Sequence, residues 1–161
     1  RSKHDFFQFA GNEEGKDDVT MLAVKRKLPV LFDDHKEIKS CCEEVYKMKA
    51  SLKELLSPYI SDFDQLWIGI VEMLINAVEH GNRMEVDKTI FIDIEVTKNY
   101  ILLSIRDQGQ GFDWKPKVFE GKTDIEIDFS DRGRGIMLAR KAFDYVWYNN
   151  KGNQVYLLKQ Y

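Results

Sequence analysis

A chain of 161 residues fits one compact domain with room for a fragment of a second. Its 43% hydrophobic and 12% aromatic residues can bury a real core, which removes disorder as the default reading. Its 24 basic and 27 acidic side chains leave a formal net charge of −3, without the basic excess that nucleic-acid binding by counterion release needs.

The first ten residues, Arg1–Ala10, are mixed and polar, unlike a signal peptide. The chain begins without methionine, as a piece excised from a longer protein would. A polar, glycine-containing loop (GNEEGKDD) leads into Val19–Val24, apolar and β-branched enough for a buried strand. Pro29 breaks the chain before a short strand-like Val30–Phe32, so a domain boundary is expected near Lys27–Pro29, dividing residues 1–28 from 29–161. From Asp33 to about Ser57 the spacing of Ile38, Cys41, Cys42, Val45, Met48, Leu52 and Leu55 predicts an amphipathic helix, capped by Asp33 or Asp34 and stopped by Pro58. Cys41 and Cys42 are the only cysteines; as neighbours they suit neither a disulfide nor a metal site, and a reduced, cytoplasmic protein is expected.

A second helix is predicted from about Asp62 to Glu79, capped by Ser61 or Asp62, with His80-Gly81-Asn82 as its exit. Its LWIGIVEMLINAV core is short of the ~20 apolar residues of a membrane span. Thr89–Thr97 and Tyr100–Arg106 alternate as a hairpin around Lys98-Asn99. A glycine-rich charged stretch covers Asp107–Arg134, a short helix Gly135–Phe143 follows, and Tyr145–Tyr148 and Gln154–Lys159 form a last hairpin. This order predicts an α+β two-layer sandwich, with helices on one face of a mostly antiparallel, mixed sheet.

Three features carry chemistry. On the second helix Glu72, Asn76 and His80 share one narrow stripe, which Gly69 joins a turn earlier. A plain solvent face is the competing reading, but no basic residue occurs from Leu66 to Val78. Asn76 offers a neutral oxygen suited to Mg²⁺, and Glu72 a carboxylate suited to general-base work. A lone histidine at a helix end, as His80 is, more often serves as a cap or packing residue. Next, the strand ILLSIR runs into Asp107-Gln-Gly109-Gln-Gly111, a fixed acceptor beside backbone that a ligand can approach closely; hairpin turns use the same residues. Last, Asp131-Arg132-Gly133-Arg134-Gly135 opens a helix, where free amides and the helix dipole suit phosphate. The spacing is not that of a Walker A loop. The long segment Phe112–Ser130 between the two glycine strings reads as a mobile cover.

Helix E-x-x-x-N, strand-D-x-G-x-G, cover, then G-x-G-helix is the order of the Bergerat (GHKL-type) ATPases, which the chain resembles from about Val30 to Tyr161. More closely, EMLINAVEHGN, RDQGQGF and DRGRGIMLARKAFDYVWYNNKGNQVYLLK resemble the anti-sigma-factor serine kinases of bacterial partner-switching systems. The resemblance implies Mg-ATP as cofactor, Glu72 as general base, Asn76 as Mg²⁺ ligand and Asp107 as the adenine contact. It also implies Gly109 and Gly111 in the base pocket, Gly133 and Gly135 at the phosphates, and Arg132 and Arg134 assisting there. The implied partners are an anti-sigma-factor antagonist bearing the accepting serine, a sigma factor and a second copy of the chain.

Kinases of this kind commonly carry an arginine on the first helix, whereas residues 33–66 contain none; Lys36, Lys39 and Lys47 are the stand-ins. The loss leaves open a regulatory module that binds nucleotide and partner without turnover. A sensor histidine kinase is the third reading, with His35 as its phosphoacceptor, but no proline-containing string follows that residue. GNEEGKDDVTMLAVKR resembles the last strand of metal-dependent serine phosphatases, which implies Asp17 as a metal ligand in an intact phosphatase domain. On that likeness residues 1–28 would be its C-terminal remnant, fused to the kinase domain.

Overall fold

The computed structural model describes residues 29–114 and 131–161, with the side chains of residues 131–133 outside it. The phosphatase-like segment and most of the expected cover therefore lie outside the described residues. In chain order the elements are β1 (Val30–Lys39), α1 (Cys42–Leu56), α2 (Phe63–Asn76) with a π turn (Ala77–Gly81), β2 (Thr89–Thr97), β3 (Tyr100–Arg106), α3 (Asp131–Ala142), β4 (Tyr145–Tyr148) and β5 (Gln154–Gln160). The strands form one sheet in the order β1-β2-β3-β5-β4, every described pair antiparallel.

Strand alternation explains the layering. Ile90, Ile92, Ile94 and Val96 of β2 and Ile101, Leu103 and Ile105 of β3 share one buried face. They merge into one core with Leu52 and Leu56 of α1, Ile70 and Leu74 of α2, and Ile136 and Ala139 of α3. Truncating any of the large buried side chains to alanine would cost about 2–5 kcal/mol. Thr97 turns the β2–β3 hairpin, its Oγ1 accepting from the amides of Asn99 and Tyr100 at 3.2 Å each.

The first helix is shorter than its spacing suggests. Residues Asp33–Lys39 continue β1 rather than opening α1, and the residue before the helix is Cys41, without a side-chain cap. Only Ile38 of that stretch is buried, and the rest are charged or histidine side chains. As an edge strand β1 gains a full ladder to β2, with His35 opposite Asp93 and their side chains 2.7 Å apart. Charges on an edge strand also discourage pairing with other chains. The apparent helical period was the accident of Ile38 sitting three residues before Cys41. Glu43 and Glu44 in the first turn then suit the helix dipole. Both cysteines are free.

α2 starts where expected, with Asp62 Oδ1 accepting from the Gln65 amide at 3.1 Å. It ends in a π turn, where Asn82 N–H reaches Ala77 O and Met84 N–H reaches Val78 O, each at 2.8 Å. Such turns concentrate at functional sites. α3 begins four residues before the expected Gly135, so Gly133 and Gly135 lie inside a helix rather than in a loop before it. Each interior glycine costs about 1 kcal/mol against alanine, so at Gly135 close packing has to justify it.

Candidate functional site

Packing of α3 on α2 brings the acid–amide stripe and the second glycine string together. A Cβ built on Gly135 would stand 3.0 Å from both Glu72 Oε2 and Asn76 Nδ2, tighter than ordinary contact. One turn earlier, a Cβ on Gly69 would stand 3.0 Å from the Ala142 methyl. Small residues on both helices thus allow the approach that places α3 over Glu72. Glu72 and Asn76 are half-buried, not bathed in solvent as a plain surface stripe would be. Gly133 lies in the first turn of α3, whose leading amides lack intrahelical acceptors, while Gly135 lies one step beyond it. Arg134 is exposed.

Beside this contact lies a cavity of about 330 Å³, at the small end of ligand sites. Asn76 and His80 line it from α2 and the π turn, and Asp107 and Gly111 from the end of β3. Ile136 and Tyr148 contribute apolar wall from α3 and β4. Glu72, Gly109 and Gly135 stand behind the lining rather than in it.

Asp107 is held by backbone on both sides. Its amide donates to Asn153 O at 3.0 Å, and its Oδ1 accepts from the Gly109 amide at 2.7 Å. Oδ1 is thereby engaged, while Oδ2 packs beside Gly81. Burial pushes this carboxyl above its ordinary value of 3.8, against the opposing pull of the Gly109 amide and of Lys151. Gly81 and Gly109 allow the π turn and the loop to meet: a side chain at Gly81 would collide with the Asp107 carboxyl, and one at Gly109 with Gly81 O. Gly111 takes φ +78 and sits on the Lys151 carbonyl.

Several residues that hold the site escape sequence reading. Asn82, fully buried, accepts from the Gln108 amide at 2.8 Å and donates to Thr89 O at 3.3 Å, tying the π turn to the loop after β3 and to β2. Asn153 donates to Asp107 O at 3.0 Å, and Lys151 Nζ to Gly109 O at 2.9 Å. The HGN string and the Asn149–Asn153 turn carry these residues, but asparagine there reads as a cap or a turn and nothing more. Of the stand-in lysines, Lys36 pairs with Asp34 at 2.8 Å and Lys47 with Glu43 and Glu44 at 2.8 and 2.9 Å; Lys39 lies on β1. None of the three lines the cavity. His35 sits on a strand, bonded to Asp93 and Glu37, not on a helix.

A family model described as "Histidine kinase-like ATPase domain" matches residues 40–159. An anti-sigma F factor of Clostridium botulinum (strain Eklund 17B / Type B) is 25% identical over 109 residues, covering 66% of this chain and 76% of the relative. The anti-sigma F factor of Geobacillus thermodenitrificans (strain NG80-2) is 26% identical over 111 residues, covering 65% and 73%. Because the matched segment takes in every element that lines the cavity, from α2 through β5, the chain belongs to the histidine kinase-like ATPase domain family.

Proposed function

We propose that the chain binds Mg-ATP and transfers the γ-phosphate to a serine of an anti-sigma-factor antagonist in a bacterial partner-switching pathway. One observation carries the reading: Asn76, His80, Asp107 and Gly111 line a single cavity, with Glu72 one helical turn from Asn76 under α3. Asp107 Oδ2 accepts the exocyclic amine of adenine. The first-turn amides of α3, with Gly133, Arg132 and Arg134, meet the phosphates. Gly109 and Gly135 serve by letting backbone close in behind the base and the phosphates.

No cluster of three or more His, Cys, Asp or Glu among the described residues could hold a metal alone. That suits Mg²⁺, which is held by one or two side chains together with substrate phosphates and its own water, and Asn76 Oδ1 fits such a place. When bound, the ion neutralises charge on the β- and γ-phosphate oxygens. Glu72 takes the proton of the serine hydroxyl as the Oγ–P bond forms. The bond from the γ-phosphorus to the β,γ-bridging oxygen breaks, and ADP leaves.

Glu72→Gln should bind ATP normally and lose phosphotransfer by about 10²-fold or more. Mass spectrometry of antagonist-like proteins after incubation with the domain reads the product, and undiminished phosphoserine from the variant would remove Glu72 as base. The relatives' names speak of sigma factors, so a sigma factor is a second partner under this reading, with a homodimer as the assembly. A cytoplasmic setting follows from the same pathway, and no described helix is long and apolar enough to cross a membrane. Residues 1–28 would be the C-terminal remnant of a phosphatase domain in the parent chain. The second reading, a nucleotide-holding module without turnover, is favoured by one observation: the cations of α1 are spent elsewhere, Lys47 on Glu43 and Glu44, Lys49 and Lys53 on Asp64. Tight ATP binding with no phosphoserine product would select it.

A further inference from the structure

From the lining of the cavity we infer that Arg83, just after the π turn, is a phosphate-binding residue of the nucleotide site. The inference rests on the nucleotide reading above and adds to it a residue outside the family-like strings. The cavity wall carries two carboxylates, Glu79 and Asp107, and Arg83 is its only lysine or arginine among the described residues. A polyphosphate is strongly anionic, and a wall of that charge repels it unless a cation offsets the carboxylates. The described lysines nearest in role are engaged: Lys151 donates to Gly109 O at 2.9 Å, and the α1 lysines sit in ion pairs with Glu43, Glu44 and Asp64. Arg83 belongs to none of the described ion pairs.

The backbone supplies an independent reason. Arg83 takes φ +58 and Met84 φ +60, two consecutive side-chain-bearing residues in the left-handed region. Few non-glycine residues adopt that region, and glycine or asparagine would fit it with less strain. The turn is locked from both sides, by the Asn82 and Met84 amides on Ala77 O and Val78 O and by the Glu85 amide on Asn82 O at 3.2 Å. Locked strain of this kind persists at ligand clamps, where it aims a side chain. Here the strained residue is an exposed arginine that lines the cavity, and the planar fork of arginine matches two phosphate oxygens.

Affinities for ATP, ADP and adenosine, with melting temperatures, would be measured on the parent chain, Arg83→Gln, Arg83→Gly, Arg83→Lys and Asp107→Asn. Loss of a charge-assisted contact predicts roughly 10- to 100-fold weaker ATP binding in the Gln and Gly variants, with adenosine unchanged and partial recovery in the Lys variant. Arg83→Gly should also melt about 2–4 °C higher, because strain is relieved where the contact is lost. ATP binding within twofold of the parent in both variants overturns the inference and leaves the nucleotide site standing. Equal loss of adenosine overturns it as well, since it would make Arg83 a base contact. A parent chain that binds no nucleotide sinks the site itself, and so does an Asp107→Asn variant that binds ATP as the parent does.

Discussion

Asp107 is a carboxylate whose burial costs stability, a cost that the proposed adenine contact would account for. In the folded chain burial raises its pKa, while in the unfolded chain it titrates near 3.8. Between those two values the folded state holds more protons, so this group's unfavourable contribution, fully present at neutral pH above the folded pKa, is relieved as pH falls through the folded pKa towards 3.8. Under the proposed nucleotide reading the two oxygens of this carboxylate have separate tasks: one accepts from the Gly109 amide, and the other would accept from adenine. An asparagine has a single acceptor oxygen and puts an NH2 donor where the second carboxylate oxygen stood, so it can accept from Gly109 or from the base, not both. Asp107→Asn should therefore melt at or above the parent temperature at pH 7 and bind ATP roughly 10- to 100-fold more weakly. Parent affinity should fall as pH drops through the raised pKa, and the variant's should stay flat. Calorimetric titrations across pH 4–8 test this, and a flat parent profile would remove the carboxylate from the binding step. The place of Asp107 at the end of a buried strand is legible in the sequence, but its use is not, because hairpin turns set aspartate before glycines in the same way.

Between elements, the ties that carry the site are side chains rather than strands or helices. Asn82 joins the π turn, β2 and the loop after β3 through two hydrogen bonds. Asn82→Ala would leave the Gln108 amide and the Thr89 carbonyl short of partners, a cost of about 1–3 kcal/mol that chemical denaturation would read. A change under about 0.5 kcal/mol would show that water replaces the amide. This tie is invisible in the sequence, since an asparagine after a helix and a glycine is an ordinary exit. Both hairpins, by contrast, are legible because period-two alternation and a short polar turn specify them locally. β1 is not: DDHKEIK has too few apolar residues to show a period, and its strand state comes from pairing with β2, far away in the chain. The start of α3 is hidden for the opposite reason. Glycine signals a loop locally, and only the face of α2 that it packs against makes it a helical residue.

At the scale of the whole molecule, the cavity sits where both layers contribute wall. α2 and the π turn supply Asn76 and His80, β3 supplies Ile105, α3 Ile136, β4 Tyr148 and β5 Val155. Tyr148 also bridges the layers, its hydroxyl 3.5 Å from Met73 Sδ, and burial raises its pKa. A ligand seated there contacts the sheet and the helices at once, so it must stabilise the fold globally rather than one loop. At 100 times its dissociation constant Mg-ATP should add about 2.7 kcal/mol. For a domain of this size that is a rise of roughly 5–15 °C in melting temperature. Hydrogen exchange should slow across β2, β3 and α2 together, because these are the elements whose opening requires global unfolding. Glu72→Gln should keep the whole of that shift and Asp107→Asn should lose most of it. If ATP instead protected only residues near Gly111 and Phe112, or left the melting temperature unmoved, the cavity between the layers would not be where the nucleotide sits.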